Sequence, residues 1–328
     1  MRSVWLLCAL LVPLSVVGQE QLVGKPGPDF RAGDMLYDAD VRGKSLAETK
    51  GEVVLIKYWG LNCPPCKAAM PALQRIWTEL GGKGLHVFHI ESQGHTAAEV
   101  ETYCEKMGYT FPQTMRSGAS DFGGYQGGNG LPYAFLIGVD GTVIWQGSSG
   151  YEAKIAEEVA KVRYPGLGRS EVAAGLEKAA HFFATGKYAN AISEAEKKRE
   201  RAEGNDAVLA DATYIIDRVR LAGERLKAAA ERACTNREYG LALATYTELS
   251  RGFKGQPIAD EVTAKVAEMR KDPAIKKELN AEGALEGLLE KVKKAPTREQ
   301  QIQLLEAFAK SFDGTKAAEK ALRRKSLL

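Results

Sequence analysis

From Val53 to Trp59 the chain reads Val-Val-Leu-Ile-Lys-Tyr-Trp, a mostly apolar run broken by one charge, which predicts a buried central strand. Apolar residues then recur at helical spacing from Pro64 to Leu80 (Met70, Leu73, Ile76, Trp77, Leu80), and Gly81-Gly82 ends that run. Leu85 to Ile90 predicts a second strand. Ala97 to Met107 predicts a helix closed by Gly108. Ala134–Ile137 and Val143–Trp145 predict two strands joined through Asp140-Gly141, a hairpin signal, and Glu152 to Val162 predicts a last helix. Strand, helix, strand, helix, hairpin and helix is the order of an α/β unit with a mixed central sheet flanked by helices.

Tyr164-Pro165-Gly166-Leu167-Gly168 interrupts this pattern, and everything after it reads as helix. The expected organisation is an α/β domain over residues 19–163, a linker over 164–168 and an all-α domain of helical hairpins over 169–328. Weak internal echoes run through the helical half. Ala179, Phe182, Gly186-Lys187-Tyr188, Ala191-Ile192 and Ala195 fall where a tetratricopeptide helix pair places its small and aromatic residues. Arg237-Glu238-Tyr239, Ala242-Leu243 and Tyr246 repeat that spacing. An aromatic-x-Gly element recurs at Tyr164/Gly166, Phe253/Gly255 and Phe312/Gly314, with an Ala four residues after the last two glycines (Ala259, Ala318). Stacked hairpins and a plain irregular bundle both fit these echoes.

The first eighteen residues read differently. Arg2 precedes an apolar stretch from Val4 to Val17, and Val16-Val17-Gly18 closes it with small residues, the pattern of a cleavable signal peptide over residues 1–18. The stretch is shorter than the ~20 residues that span a bilayer. The expectation is a periplasmic or secreted protein. A net charge of +3, with charges of mixed sign and no basic run interleaved with aromatics, argues against nucleic acid as a partner.

Loss of the leader with Cys8 leaves Cys63, Cys66, Cys104 and Cys234. Two are close together and two scattered, which points to chemistry at one pair rather than to a disulfide scaffold. Cys63-Pro64-Pro65-Cys66 lies just past the apolar strand and opens the following helix. At a helix N-terminus, free N–H groups and the positive end of the dipole stabilise a thiolate. Cys66, one turn on, is placed to attack a mixed disulfide formed on Cys63. Pro64 and Pro65 lack N–H donors, which are spare at the first helical positions.

Here the chain resembles a known family. Gly24-Lys25-Pro26-Gly27-Pro28-Asp29-Phe30 is similar to the entry motif of secreted thioredoxin-like proteins of the TlpA/ResA type. Val53 to Leu73, with Trp59, the Cys63–Cys66 pair, Lys67 and Met70-Pro71-Ala72-Leu73, resembles their active-site strand and helix. Gly130-Leu131-Pro132, followed by Tyr133–Ile137 and Asp140-Gly141, resembles their cis-proline loop and closing hairpin. The resemblance covers about residues 22–163. It implies an α/β thioredoxin-like fold and a thiol:disulfide oxidoreductase, with Cys63 the exposed nucleophile and Cys66 the resolving thiol. Pro132 would be cis and help bind the substrate chain, and Trp59 would pack beside the dithiol. Electrons would move in the cysteines themselves, so no cofactor is called for. The implied partners are protein thiols and disulfides of exported proteins and a membrane electron donor.

Three positions depart from that pattern. Lys57 stands six residues before Cys63, where thioredoxins carry a buried Asp and TlpA-like proteins often an Asn. A charged Lys57 near the sulfurs would favour thiolate and a neutral one would accept a proton, or the side chain would snorkel to solvent. Asn62 replaces the aromatic residue common before the first cysteine, and Leu131 stands where Thr or Val is frequent. These leave the direction of electron flow open. Peroxiredoxins share the entry motif, but Gly60 occupies the position where their peroxidatic site carries Thr. Zinc is disfavoured: there is no second Cys-x-x-Cys, and His86 and His89, three apart on a strand, point to opposite faces. Gly118 to Gly130 reads as a loop beside the active site, and Glu91 as a strand-end carboxylate, with a role in tuning Cys66 as the alternative. Cys104 and Cys234 are expected to stay buried and separate, with a pairing across the two domains as the alternative. A second reading makes the helical half, with a protein partner of its own, the working part of an envelope scaffold, and the redox domain a regulator.

Overall fold

The computed structural model describes residues 21–36, 43–117, 120–125, 130–326 and 328. The expected leader, Cys8 included, and part of the Gly118–Gly130 stretch lie outside these residues. Among the described residues six strands, β1 (Met35–Leu36), β2 (Val53–Trp59), β3 (Leu85–Glu91), β4 (Gln113–Met115), β5 (Tyr133–Ile137) and β6 (Val143–Gly147), form one sheet in the order β1-β4-β3-β2-β5-β6. β2 pairs in parallel with β3 and β3 with β4, whereas β5 runs antiparallel to both β2 and β6, and β1 to β4. β2 is therefore central, and all seven of its residues are buried. This is the mixed sheet of a thioredoxin-like fold.

Among the described residues two α-helices connect strands, α1 (Pro64–Leu80) and α2 (Ala97–Met107), and α3 (Glu152–Val159) follows β6. Period-two alternation sends Val53, Leu55 and Trp59 of β2 to one face, where they pack with Met70 and Leu73 of α1, Cys104 of α2 and Ile155 of α3. Val54, Ile56 and Tyr58 face the other way. They are covered by Leu22 and Phe30 of the entry segment and by Phe122. His86 and His89 indeed part company across the sheet: His86 packs on Phe88, while His89 stacks on Trp59.

β1 and β4 escape the sequence pattern because two and three residues cannot show a period. The last helix stops at Val159, three residues short of the expected end, where Ala160 caps it. Thr96 and Glu99 form a reciprocal capping box that starts α2.

The rest of the chain is helical: α4 (Glu177–Ala184), α5 (Tyr188–Glu200), α6 (Asp206–Thr235), α7 (Tyr239–Gly252), α8 (Pro257–Met269), α9 (Pro273–Lys294), α10 (Arg298–Ser311) and α11 (Lys316–Ser326). One core joins α4 to α8 and a second joins α9 to α11. The aromatic-x-Gly echo marks one turn used three times. Leu167, Gln256 and Thr315 donate their N–H groups to the carbonyls of Tyr164, Phe253 and Phe312, and Gly166, Gly255 and Gly314 have φ of 79°, 83° and 78°. The helical half meets the sheet-bearing half at two places. Near the junction, Gly166 N–H donates to buried Glu52 at 3.0 Å, and Arg225 of α6 pairs with Glu48 at 2.5 Å. At the far end, Arg324 of α11 donates to the carbonyls of Glu105 and Lys106 at the close of α2.

Candidate active site

β2 delivers Trp59 to its C-terminal end, and a short turn, in which Cys63 N–H donates to the Gly60 carbonyl at 3.1 Å, leads into α1. Cys63 is the N-cap of α1, with Pro64 and Pro65 at its first two positions. The residue expected as nucleophile therefore sits where the helix presents unpaired N–H groups, and its Sγ takes one of them, from Cys66 at 3.2 Å. Cys63 and Cys66 form a disulfide. Cys63 is 6% exposed and Cys66 fully buried, so only the first sulfur's residue has a route to a partner in solution. Cys104 and Cys234 are free and not joined to each other; burial pushes the Cys104 thiol up to about 12, well away from a reactive thiolate.

The Leu131–Pro132 bond is cis. Tyr133 pairs with Tyr58 across the β5–β2 ladder, so Pro132 adjoins the strand end that feeds the dithiol. Leu131 is partly buried and touches the cores on both faces of the sheet. Trp59 is fully buried in the same cluster as both cysteines and stacks on His89 at 4.8 Å.

Lys57 does not snorkel. It is 1% exposed, on the sheet face shared by Leu55 and Trp59, and its Nζ donates to Tyr151 Oη at 2.6 Å. Burial lowers its ammonium to about 8, partly opposed by the Glu152 carboxylate. Burial, followed by the Lys57 charge, holds His89 well below the usual histidine range, so its imidazole is neutral; Nδ1 lies 2.8 Å from Gln113 Oε1. The sheet face that packs against α1 thus holds a lysine whose ammonium is lowered to about 8, a tyrosine hydroxyl and a neutral imidazole. Tyr151, which lies 94 residues from Lys57, carries no local signal of this role.

A second group centres on Glu91, whose partner His95 was not legible in the sequence. Glu91, 1% exposed, accepts from the N–H groups of Gln93, Gly94 and His95 and pairs with His95 Nδ1 at 2.8 Å. It thereby folds the β3–α2 loop around itself. That loop reaches across to the dithiol turn: Asn62 N–H donates to Gln93 Oε1 at 2.8 Å, and Asn62 Nδ2 lies 3.2 Å from His95 Nε2. Among the described residues no cluster of three or more His, Cys, Asp or Glu has the geometry to hold a metal ion.

Residues 23–146 match the AhpC/TSA family. Over those residues the chain is an AhpC/TSA-like, thioredoxin-like domain. The thiol-disulfide oxidoreductase ResA of Bacillus anthracis is 28% identical over 128 residues, which are 39% of this chain and 70% of ResA. ResA of Geobacillus thermodenitrificans is 30% identical over 121 residues, 37% of this chain and 66% of its own. Relatives of this kind put the protein among redox enzymes of the thiol-disulfide oxidoreductase type. Among solved structures, a putative thiol:disulfide interchange protein DsbE from Chlorobium tepidum aligns with a TM-score of 0.33 at 20% identity, covering 41% of this chain and 92% of its own. The matches lie in the sheet-bearing half.

Proposed function

We propose that the protein exchanges disulfides with protein substrates outside the cytoplasm, using Cys63 and Cys66. In the reducing direction, the Cys63 thiolate attacks a substrate disulfide. One substrate sulfur leaves as thiolate and a Cys63–substrate mixed disulfide forms. Cys66 then attacks Cys63 Sγ and expels the second substrate thiolate. Two electrons pass to the substrate, and the Cys63–Cys66 disulfide is what remains. Oxidation of a substrate dithiol is the same path reversed, and a membrane electron donor would re-reduce the pair in the first case. The observation that carries this reading is the asymmetry of a dithiol at a helix N-terminus, with the N-cap residue 6% exposed and the second cysteine fully buried.

The other residues take supporting roles. Pro132 and Leu131 would line the place where the substrate chain lies, Pro64 and Pro65 would fix the helix start, and Trp59 would wall the sulfurs. Lys57 would hold or release a proton beneath them. We place the domain boundary at 164–168, with the helical domain presenting the redox domain to its partners, and a cleaved leader accounting for export.

Trapping tests the reading. In the full chain with Cys66→Ala, the mixed disulfide with a substrate protein should accumulate as a reducible adduct on Cys63. An adduct on Cys104 or Cys234, or none, would contradict it. The scaffold reading draws support from the two docking contacts that tie the helical half to the redox half. It requires that a Cys63→Ser, Cys66→Ser double variant keep its cellular role.

A further inference from the structure

Glu91 and His95 form a carboxylate–imidazole pair whose ring is turned towards the residue bonded to Cys63. β3 ends at Glu91, in register with Trp59 at the end of β2, so the loop after β3 and the dithiol turn leave the sheet side by side. The hydrogen bonds fix the tautomer. An ionised carboxylate only accepts, so the imidazole nitrogen facing Glu91, Nδ1, carries the hydrogen. In the neutral ring this leaves Nε2 as an acceptor, and the Asn62 amide donates to it. The His95 side chain is 16% exposed and open to water, while Glu91 behind it is 1% exposed.

The two loops are clamped closely. A Cβ at Gly60 would lie 2.2 Å from Gln93 Oε1, and that same oxygen receives the Asn62 N–H. A change at His95 is therefore met directly by Asn62, the residue bonded to Cys63. When Nε2 takes a proton, two donors face each other, and the Asn62 amide must turn its oxygen to the ring. The pair's charge changes at the same time. With neutral imidazole, Glu91 leaves a net negative charge beside the dithiol turn; with imidazolium the pair is neutral.

We propose that the Glu91–His95 pair is a positioning element that sets the charge next to Cys63, and so the thiolate fraction available for exchange, with Asn62 as the link. This deepens, and rests on, the reading of Cys63 as nucleophile. Other charged groups face His95 as well. Glu99, in the first turn of α2, feels the His95 charge but is held by the Thr96 N–H and hydroxyl. Arg116 lines the same cleft and is paired with Asp121 at 3.2 Å. The direction of the effect follows from removing the negative charge: protonated His95 favours the thiolate, so Cys63 keeps more of its reactivity as pH falls.

The test follows iodoacetamide alkylation of Cys63 by peptide mass analysis in the fully reduced full-length chain between pH 5 and 8.5. The wild-type profile should depart from a single-thiol curve, with an inflection in the histidine range that His95→Asn and His95→Gln both lose. At pH 6 these variants should alkylate about threefold or more slowly than wild type. Glu91→Gln should keep the inflection but move it to lower pH, because the imidazolium loses its carboxylate. Profiles of His95→Asn and His95→Gln that superimpose on wild type would overturn the inference while leaving the dithiol reading intact. A wild-type protein that reduces no disulfide would overturn both.

Discussion

The Lys57 ammonium donates to the Tyr151 hydroxyl across 2.6 Å, with both side chains 1% exposed, on the sheet face that carries Trp59 and the dithiol. Lys57 stands at a position where thioredoxins carry a buried Asp and TlpA-like proteins often an Asn. When ionised, Lys57 puts on this face a charge of the opposite sign to the thioredoxin Asp.

Lys57 should leave a signature in stability against pH. Its value is about 8 in the folded protein against 10.5 for an ordinary lysine, so between those pH values the unfolded chain binds more protons. Stability from this group accordingly rises with pH across that window, by about 3 kcal/mol in all. Urea unfolding of wild type and Lys57→Met at pH 7 and pH 11 should show the difference between them moving by roughly that amount in favour of wild type at high pH. A constant difference would mean that Lys57 is not buried as described.

Tyr151→Phe removes the acceptor of that bond but keeps the ring. A buried ammonium without its partner costs about 1–3 kcal/mol, read as a lower urea midpoint at pH 7. The penalty should shrink above pH 8, where Lys57 is neutral. A penalty equal at pH 7 and pH 10 would speak against the hydrogen bond as its source.

Gly60→Ala should act on the dithiol turn more than on the fold. The added Cβ meets the end of the Gln93 side chain, which can swing aside, so the cost in stability should stay under about 1 kcal/mol. Moving Gln93 releases the Asn62 N–H. Its hydrogen exchange should speed up by about an order of magnitude, measured on the native protein by NMR. Unchanged protection would show that the two loops are not coupled through Gln93.

The recurring turn of the helical half gives a matched set. Gly255 and Gly314 have φ of 83° and 78°, and nothing within 4 Å would meet a Cβ there. Alanine at either site should cost about 1 kcal/mol from the left-handed backbone alone. Unequal or absent losses in thermal unfolding would break the equivalence of the two turns.

Much of this fold was legible along the chain. The seven-residue run at Val53–Trp59, the spacing from Pro64 to Leu80 and the Asp140-Gly141 turn each carry their element in local pattern, so β2, α1 and the β5–β6 hairpin follow from the sequence. The helical character after Tyr164 did too, and the aromatic-x-Gly echo corresponds to a shared turn because a positive φ at the glycine leaves a compositional mark. What stayed hidden depends on contacts between distant segments. Whether Lys57 reaches solvent is decided by what covers β2, and the cover is Tyr151. His95 gave no sign because its role comes from Glu91 and from Asn62, 33 residues away. β1 and β4 exist through pairing rather than through any period of their own.

The central claim is that Cys63 performs the exchange. Insulin reduction, coupled to dithiothreitol and followed by turbidity, compares the full-length wild type with Cys63→Ser most directly. The account predicts catalysis by wild type and a fall to the uncatalysed rate in the variant, with the fold unchanged by circular dichroism. A Cys63→Ser protein that reduces insulin as fast as wild type would contradict it.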